Sequence, residues 1–250
     1  MHLRDITIRV YVNRLARGAA KGSLMQQTEI DGRLLRGQRS RAKILECAVT
    51  AASADGLNAL SIGRVAGDAG IAKSNIGVLF GDREALQLAT LDRAMDLFRE
   101  HVIVPAEREA DPVERILVWI DTWFEFVSTR VLPGGCFLNA VSYEYRGHPG
   151  PIQDRINEYR VRARQRLVQW IDDARRAGRM VDSVDAAALA FHLLAYQSSA
   201  NVASLIGETD QFERAHAASR AAVESFVTAL RVSTTKAGKT RASSSRNKVE

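Results

Sequence analysis

The sequence is poor in the residues that form disulfides, metal sites and membrane spans. Two cysteines, Cys47 and Cys136, give no disulfide framework, and neither they nor the five histidines follow metal-ligand spacing. No run of about eighteen apolar residues is present, so no transmembrane helix is expected. The N-terminal residues lack a long uncharged apolar segment and therefore do not resemble a signal peptide. We expect a cytoplasmic protein that binds neither a metal nor another cofactor.

Only one arrangement in the sequence suggests catalysis. Cys136 follows two glycines, and His148 lies further along the chain. These residue types form nucleophile and base pairs in cysteine enzymes. No third residue that would orient the histidine and no oxyanion motif accompanies them, so a buried or cavity-lining thiol is the simpler interpretation. The protein is not expected to be an enzyme.

The positive charge is concentrated at the two ends of the chain. The net charge is +6; residues 1–41 carry nine Lys and Arg against three Asp and Glu, and residues 231–250 carry six against one. The segments 1–36 and 233–250 are interpreted as a basic arm and a basic tail, both disordered. Such segments either follow DNA phosphates or are simply solvated. Met25 offers an alternative start of the chain.

Apolar residues recur at helical spacing along the rest of the chain, which predicts an all-α protein of about nine helices. Glycines and prolines divide these helices, and Pro105 is expected to break the chain. Asp82 and Asp111 are expected N-caps, and Asp182 or Ser183 is expected to start a later helix. The last helix is expected to run from Asp210 to about Val232. We expect a small helical domain at residues 37–86 and a larger helical domain at residues 87–232.

The segment Ser61–Arg83 predicts two short helices joined by a tight turn. Ser61 is a suitable N-cap, and Gly70 can adopt the positive φ that the turn needs. The residues expected on the packed faces of the two helices are Ile62, Val65, Ala66, Ala69, Ile76 and Leu79. This pattern fits a helix-turn-helix and also fits an ordinary helical hairpin. Lys73, Ser74 and Asn75 at the start of the second helix favour DNA binding, because such side chains contact base edges and phosphates.

The stretch Arg41–Leu86 resembles the DNA-binding domain of TetR-family (TetR/AcrR-type) transcriptional regulators. The motifs that carry the resemblance are I-L-x-x-A from Ile44, V-A-x-x-A-G-I from Val65 and F-G-D-R-E-A-L from Phe80. The resemblance implies a homodimeric, ligand-responsive repressor. It further implies that a set of side chains contacts DNA: Arg41, Ser61, Arg64, Lys73, Ser74, Asn75, Val78 and Arg83. Gly77 departs from the family, which usually has an aromatic residue there, and Leu79 stands where His or Tyr is frequent.

Aromatic residues on several later helices predict a pocket for an unidentified small-molecule effector. The candidates are Trp119, Trp123, Phe126, Phe137, Tyr143, Phe191, His192 and Tyr196. Core packing is the alternative for each of them. The last two helices carry small and apolar stripes and are expected to form the homodimer as a four-helix bundle. A ligand-binding or interaction protein with a degenerate DNA-reading head is the alternative function.

Overall fold

The computed structural model describes residues 35–228, and these residues form α-helices joined by short turns. Counting Arg83–Glu107 as one continuous helix gives nine in this range, in agreement with the prediction. The helices are α1 (35–55), α2 (Ile62–Ala69), α3 (Lys73–Phe80), α4 (Arg83–Phe98), α5 (Val104–Glu107), α6 (Pro112–Ser128), α7 (Phe137–Glu144), α8 (Pro151–Arg176), α9 (Ala186–Ile206) and α10 (Thr209–Glu224). The predicted arm and tail lie almost entirely outside the described residues.

Side-chain caps start several helices where the sequence predicts them. The Ser61 hydroxyl accepts a hydrogen bond from the Arg64 N–H at 3.3 Å, and the Asp82 carboxylate accepts from the Ala85 N–H at 2.8 Å. Asp111 caps α6 with Pro112 at its first position. Such a cap contributes on the order of 1 kcal/mol. The start of α9 was predicted at Asp182 or Ser183, but Asp185 caps this helix.

Helix α4 continues through Pro105, where the sequence predicts a break. A π-helical turn, Arg99–Ile103, follows α4 and leads directly into α5. Pro105 stands in the first turn of α5, where its missing N–H costs least. Residues 83–107 therefore run as one helix with a widened turn, and this helix connects the N-terminal helices with the rest of the chain.

The larger helical body is built around α6, which buries nine apolar residues. Helix α6 packs against α5, α8 and α10, and α9 packs against α8 and α10. Ile116, Ile120 and Trp123 of α6 are fully or almost fully buried. Each such side chain contributes about 1.5–3 kcal/mol through removal of its apolar surface from water.

The last described helix is shorter than predicted. It ends at Glu224 rather than near Val232, and the chain then extends along the turn that follows α8. The Val181 N–H donates to the Phe226 carbonyl at 2.9 Å, and Val227 forms an antiparallel bridge with Met180. This pairing, with Phe226 packed on the core, takes the place of another helical turn.

The N-terminal head, residues 35–80, is fastened to the body by polar contacts around the end of α1. The Ser53 hydroxyl accepts from the Gly134 N–H at 2.9 Å. The Glu144 carboxylate accepts from the Leu57 N–H at 3.0 Å and from the Asn58 N–H, and Gln87 donates to the Leu57 carbonyl at 2.7 Å.

Within residues 35–228, no helix has the length and apolar character required to cross a membrane.

The close approach at Gly134 yields the first prediction. A Cβ on Gly134 would lie 2.0 Å from the backbone carbonyl oxygen of Ser53, so Gly134→Ala must push the head away from the body. We expect the free energy of unfolding to fall by about 1–3 kcal/mol. Urea denaturation followed by circular dichroism measures this change. Gly147→Ala is the control, because a Cβ there meets no atom of residues 35–228 within 4 Å. Equal stability of the two variants would contradict the assigned contact.

Candidate nucleic-acid interface and ligand cavity

Helices α2 and α3 form the tight pair that the sequence predicts. Gly70 adopts φ 62° and ψ 38°, and the Ile71 N–H donates to the Ala66 carbonyl at 3.0 Å, which closes the end of α2. Ala66, Ala69 and Ile76 are buried between the helices. Small side chains at the crossing allow the two helices to pack closely, as in a helix-turn-helix.

The N-terminal part of α3 faces solvent. Lys73, Ser74 and Asn75 are all exposed, and no side-chain cap occupies the first turn of this helix. Val78, one turn further on, is 85% exposed although it is apolar. The structure thus presents four of the predicted DNA contacts together on one short helix.

The three predicted DNA-contacting arginines have partners inside the head. Arg41 donates to the Leu79 carbonyl at 2.9 Å and lies 4.2 Å from the centre of the Phe80 ring. Arg83 donates to the Leu60 carbonyl at 2.9 Å. These two side chains therefore fix α1 and α4 relative to the helix-turn-helix.

Arg64 also has partners within the head, in this case acidic ones. Its guanidinium lies 2.6 Å from the Asp55 carboxylate and 3.7 Å from that of Asp68. The positive charge is largely balanced there. Ser61, the remaining predicted contact, is exposed while its hydroxyl caps α2.

Gly77 stands on α3 in open space. A Cβ built at this position meets no atom of the described residues within 4 Å, and the backbone is helical. The Cβ of a larger residue would fit without displacing a neighbour. The glycine leaves α3 without a side chain at this point and weakens the helix by about 1 kcal/mol relative to Ala.

A cavity of about 230 Å³ lies within the body, between α4, the π-helical turn, α6, α7, α8 and α9. Its wall is mainly apolar and includes all three tryptophans of the chain. The aromatic and aliphatic residues that line it are Met95, Phe98, Ile103, Trp119, Trp123, Leu138, Tyr159, Leu167, Trp170 and Leu194. Enclosed apolar spaces of this kind are typical of small-molecule sites.

The structure divides the predicted ligand-binding residues into several groups. Trp119 and Trp123 line the cavity. Phe137 is buried in the core but does not line the cavity, and Phe126 packs edge-on against Phe98 with ring centres 5.8 Å apart.

The other predicted ligand-binding residues lie further out. Tyr143 and Phe191 line an adjoining outer groove of about 650 Å³ between α7, α8 and α9, which shares Leu138 and Leu194 with the cavity. His192 and Tyr196 line neither space. Of the eight candidates, two line the cavity, two line the outer groove, and the other four line neither space, because each helix turns its aromatic residues in several directions.

Gln197 is the main cavity residue that the sequence reading missed. Its side chain is 5% exposed, it lines the cavity, and its Nε2 has no hydrogen-bond partner within residues 35–228. An unpartnered buried amide costs about 1–3 kcal/mol. The sequence does contain a signal: Gln197 and Asn201, four residues apart, interrupt the buried apolar stripe of α9.

Asn201 is also a buried amide of α9, but it has a hydrogen-bond partner. Its Oδ1 accepts from the Cys136 N–H at 2.7 Å, so this buried amide holds the loop at the start of α7. Cys136 itself is 5% exposed and lines the cavity. Burial raises the pKa of the Cys136 thiol. A protonated thiol is a poor nucleophile, which fits a wall residue better than a catalytic one.

One wall of the cavity is anchored by a charged cluster. The Tyr159 hydroxyl donates to the Asp92 carboxylate at 2.8 Å, and Arg155 donates to both oxygens of Asp92 at 2.8 and 2.9 Å. Burial and the contact with Asp92 raise the pKa of Tyr159 to about 12, so its hydroxyl remains a donor. The cluster fixes α8 against α4 beside the cavity.

These features define a helical protein in which a helix-turn-helix head is attached to a body with an internal cavity. Residues 112–219 match the family model described as Tetracyclin repressor-like, C-terminal domain. The matched domain is that of Tetracyclin repressor-like proteins, and it agrees with the TetR-family resemblance of Arg41–Leu86. None of the curated proteins is detectably similar to the chain in sequence.

Solved structures share the fold at low sequence identity. A TetR transcriptional regulator from Chloroflexus aurantiacus has a TM-score of 0.71 and 22% identity, over 77% of this chain and 98% of its own. A TetR-family regulator from Cytophaga hutchinsonii has a TM-score of 0.70 and 17% identity, over 78% and 98%. AibR, in complex with isovaleryl coenzyme A and operator DNA, has a TM-score of 0.53 and 23% identity, over 64% and 84%.

The contrast between the two buried amides of α9 yields the second prediction. Gln197→Leu removes an unpartnered amide, so we expect the free energy of unfolding to rise by about 1 kcal/mol. Asn201→Leu leaves the Cys136 N–H without an acceptor and should lower the free energy of unfolding by about 1–3 kcal/mol. Chemical denaturation of the two variants beside the parent chain provides the comparison. Destabilisation of similar size in both would show that Gln197 has a partner after all.

Proposed function

We propose that this protein is a sequence-specific, homodimeric repressor whose DNA binding responds to a small molecule. The observation that carries the proposal is the exposed N-terminal turn of α3, where Lys73, Ser74 and Asn75 stand together. In helix-turn-helix proteins this part of the second helix contacts base edges in the major groove. The location of the protein in the cytoplasm stays a prediction.

Each exposed side chain of α3 has a distinct role in the proposed complex. Asn75 pairs with adenine through two hydrogen bonds, and Lys73 binds a guanine edge or a phosphate. Ser74 donates to a phosphate, while Val78 contacts a thymine methyl group. In this proposal Arg41, Arg64 and Arg83 orient the reading helix, and Ser61 contributes a hydroxyl at the start of α2.

An exposed apolar stripe on α9 supports the homodimer. Phe191 is 68% exposed and Ile206 is 65% exposed, with Val202 and Leu205 between them at 48% and 45%. A stripe of this kind on a helix that is otherwise packed is typical of a subunit interface. The outward side chains of α10 are more polar, since Phe212 and Ala215 pack on the core of the same chain. Two copies joined here would present two reading heads to two half-sites.

The cavity is connected to the head along two paths. Met95 and Phe98 line it from the end of α4, the helix that begins at Asp82 beside α3. Cys136 lines it from the loop whose Gly134 contacts Ser53 of α1. A ligand that binds more tightly to one arrangement of these elements shifts the head toward that arrangement. AibR, with its acyl-coenzyme A and operator DNA, is a relative in fold that holds both kinds of partner.

The alternative function is a ligand-binding or interaction protein with a degenerate head. Gly77 and the three internally paired arginines favour it, because they leave few groups around the reading helix free to bind phosphate. The salt dependence of binding to duplex DNA separates the two functions. A sequence-specific regulator binds one DNA sequence preferentially, and its affinity falls steeply with salt concentration. A protein with a degenerate head binds duplex DNA weakly and without sequence preference.

The test of the proposed function is selection of duplexes from a random pool by the full chain, followed by fluorescence anisotropy. DNA that flanks the protein's own gene and scrambled DNA of the same composition are included. Enrichment of a palindromic sequence that is bound in preference to scrambled DNA supports the regulator. Failure to enrich any sequence, with weak binding to all duplexes, supports the alternative.

The third prediction concerns the reading helix. Asn75→Ala should weaken binding to the selected site by about 1–3 kcal/mol and relax the preference at one base pair. Lys73→Ala should weaken binding to all duplexes alike and reduce the salt slope by about 1 if its partner is a phosphate. Arg214→Ala, which removes one charge from the exposed surface of α10, is the control. If Asn75→Ala behaves like this control, Asn75 does not read a base.

The fourth prediction concerns the dimer. Phe191→Glu combined with Ile206→Glu would place unpaired carboxylates in the apolar interface, each at a cost on the order of 2 kcal/mol. We expect dimerisation to weaken by roughly a hundredfold or more, as measured by analytical ultracentrifugation. Val161→Glu alters an exposed apolar residue of α8 instead and should leave the dimer intact. A double variant that sediments like the parent chain would exclude this face of α9.

A further inference from the structure

The opening of the cavity is lined by positive charge. Arg99 of the π-helical turn and Arg162 and Arg166 of α8 line the cavity, and Asp96 is the one carboxylate in its described lining. Arg99 and Arg162 are 59% and 64% exposed, and Arg166 is 38% exposed. These four residues form what we call the rim. The lining itself therefore carries more positive than negative charge, which favours an anionic ligand.

The rim arginines have only loose acidic partners. Arg99 lies 3.7 Å and Arg166 lies 4.0 Å from the same carboxylate, Glu107, and Arg162 lies 3.5 Å from Glu158. Charge-assisted hydrogen bonds between guanidinium and carboxylate groups are shorter, at about 2.7–2.9 Å. The donors of the rim are therefore available to a second anion that approaches from the cavity.

The interior of the cavity is apolar, in contrast to the charged rim, and therefore favours apolar ligand atoms. Its wall consists largely of Trp119, Trp123 and Trp170 together with aliphatic side chains, which favours an aromatic or branched aliphatic group. Gln197 places an unpartnered Nε2 donor in this wall. That donor needs an acceptor oxygen, which the ligand body can supply.

We propose that the effector is a small organic anion with an apolar body, whose anionic group binds the rim and whose acceptor oxygen binds Gln197. The inference rests on the proposed function only in taking the cavity as the effector site. The rim lies between the end of α4 and α8, whereas Phe191 and the outer groove lie on the face assigned to the dimer. Dimerisation therefore leaves the rim accessible.

A matched pair of fluorescent probes tests whether the cavity prefers an anionic ligand. Anilinonaphthalene sulfonate and N-phenylnaphthylamine share the same aromatic body and differ in the sulfonate. All three tryptophans of the chain line the cavity, so a probe bound there quenches their emission by energy transfer, and the rim variants below test whether that is where it binds. Titrations use the full chain at two salt concentrations. We expect the sulfonate to bind at least about tenfold more tightly than the neutral probe, with the difference reduced at high salt.

Variants of the rim locate the anion. Arg162→Gln combined with Arg166→Gln should weaken sulfonate binding by roughly three- to tenfold and leave the neutral probe unchanged. Arg175→Gln combined with Arg176→Gln removes the same charge from the far end of α8, where each arginine has its own acidic partner, and serves as the control. Displacement of the probe by phenylbutyrate, by phenyl phosphate and by neutral phenylbutyramide then compares carboxylate, phosphate and uncharged ligands.

Each outcome has a defined meaning. Preference for the sulfonate that the rim variant abolishes and the control retains supports the inference, as does displacement by either anion in preference to the amide. Equal binding of both probes, or equal loss in both double variants, overturns it while leaving a neutral effector in the same cavity possible. Quenching by neither probe overturns the inference together with the effector site. DNA selection by the full chain decides the proposed DNA binding separately.

Discussion

A close backbone approach of one loop, together with the polar contacts around it, sets the position of the head on the body. Gly134 passes so near the Ser53 carbonyl that no side chain fits, and its N–H binds the Ser53 hydroxyl. Two residues later, Cys136 lines the cavity and is held by Asn201 of α9. One short loop thus connects the end of α1 with the cavity wall. Since both ends of the loop are held, we expect movement of the wall at Cys136 to reach α1.

The residues around the cavity both stabilise and destabilise the body. Its tryptophan-rich wall stabilises the body by packing, yet it leaves a space and the unpartnered Gln197 amide inside an otherwise well-packed core. Both features lower the stability of the empty protein. A structural core of the same helices would be more stable with an apolar residue at position 197. The polar group at this position is consistent with a site whose stability is completed by a ligand.

The head was largely predictable from the sequence, and the cavity was not. Ser61, Gly70 and Ala66 act through local backbone geometry, which residue type and spacing determine. In contrast, Trp123 faces the cavity while Phe126, three residues later, packs against Phe98. The choice between cavity and core depends on the neighbouring helices, so helical spacing alone does not give it. The internal pairing of the arginines in the head escaped prediction for the same reason.

The proposed response to a ligand follows from how the two connections attach to the head. The loop at Gly134 contacts the end of α1, whereas α4 begins at Asp82 directly after the reading helix. The cavity touches α4 at its opposite end, where Phe98 and Arg99 lead into the π-helical turn. A π-helical turn is a frequent feature of functional sites and gives the helix a local point of adjustment. A ligand that shifts Arg99 while Gly134 stays in contact with Ser53 therefore turns the head about the end of α1. In a dimer, such a rotation changes the spacing of the two reading helices, which DNA half-sites fix at about 34–36 Å.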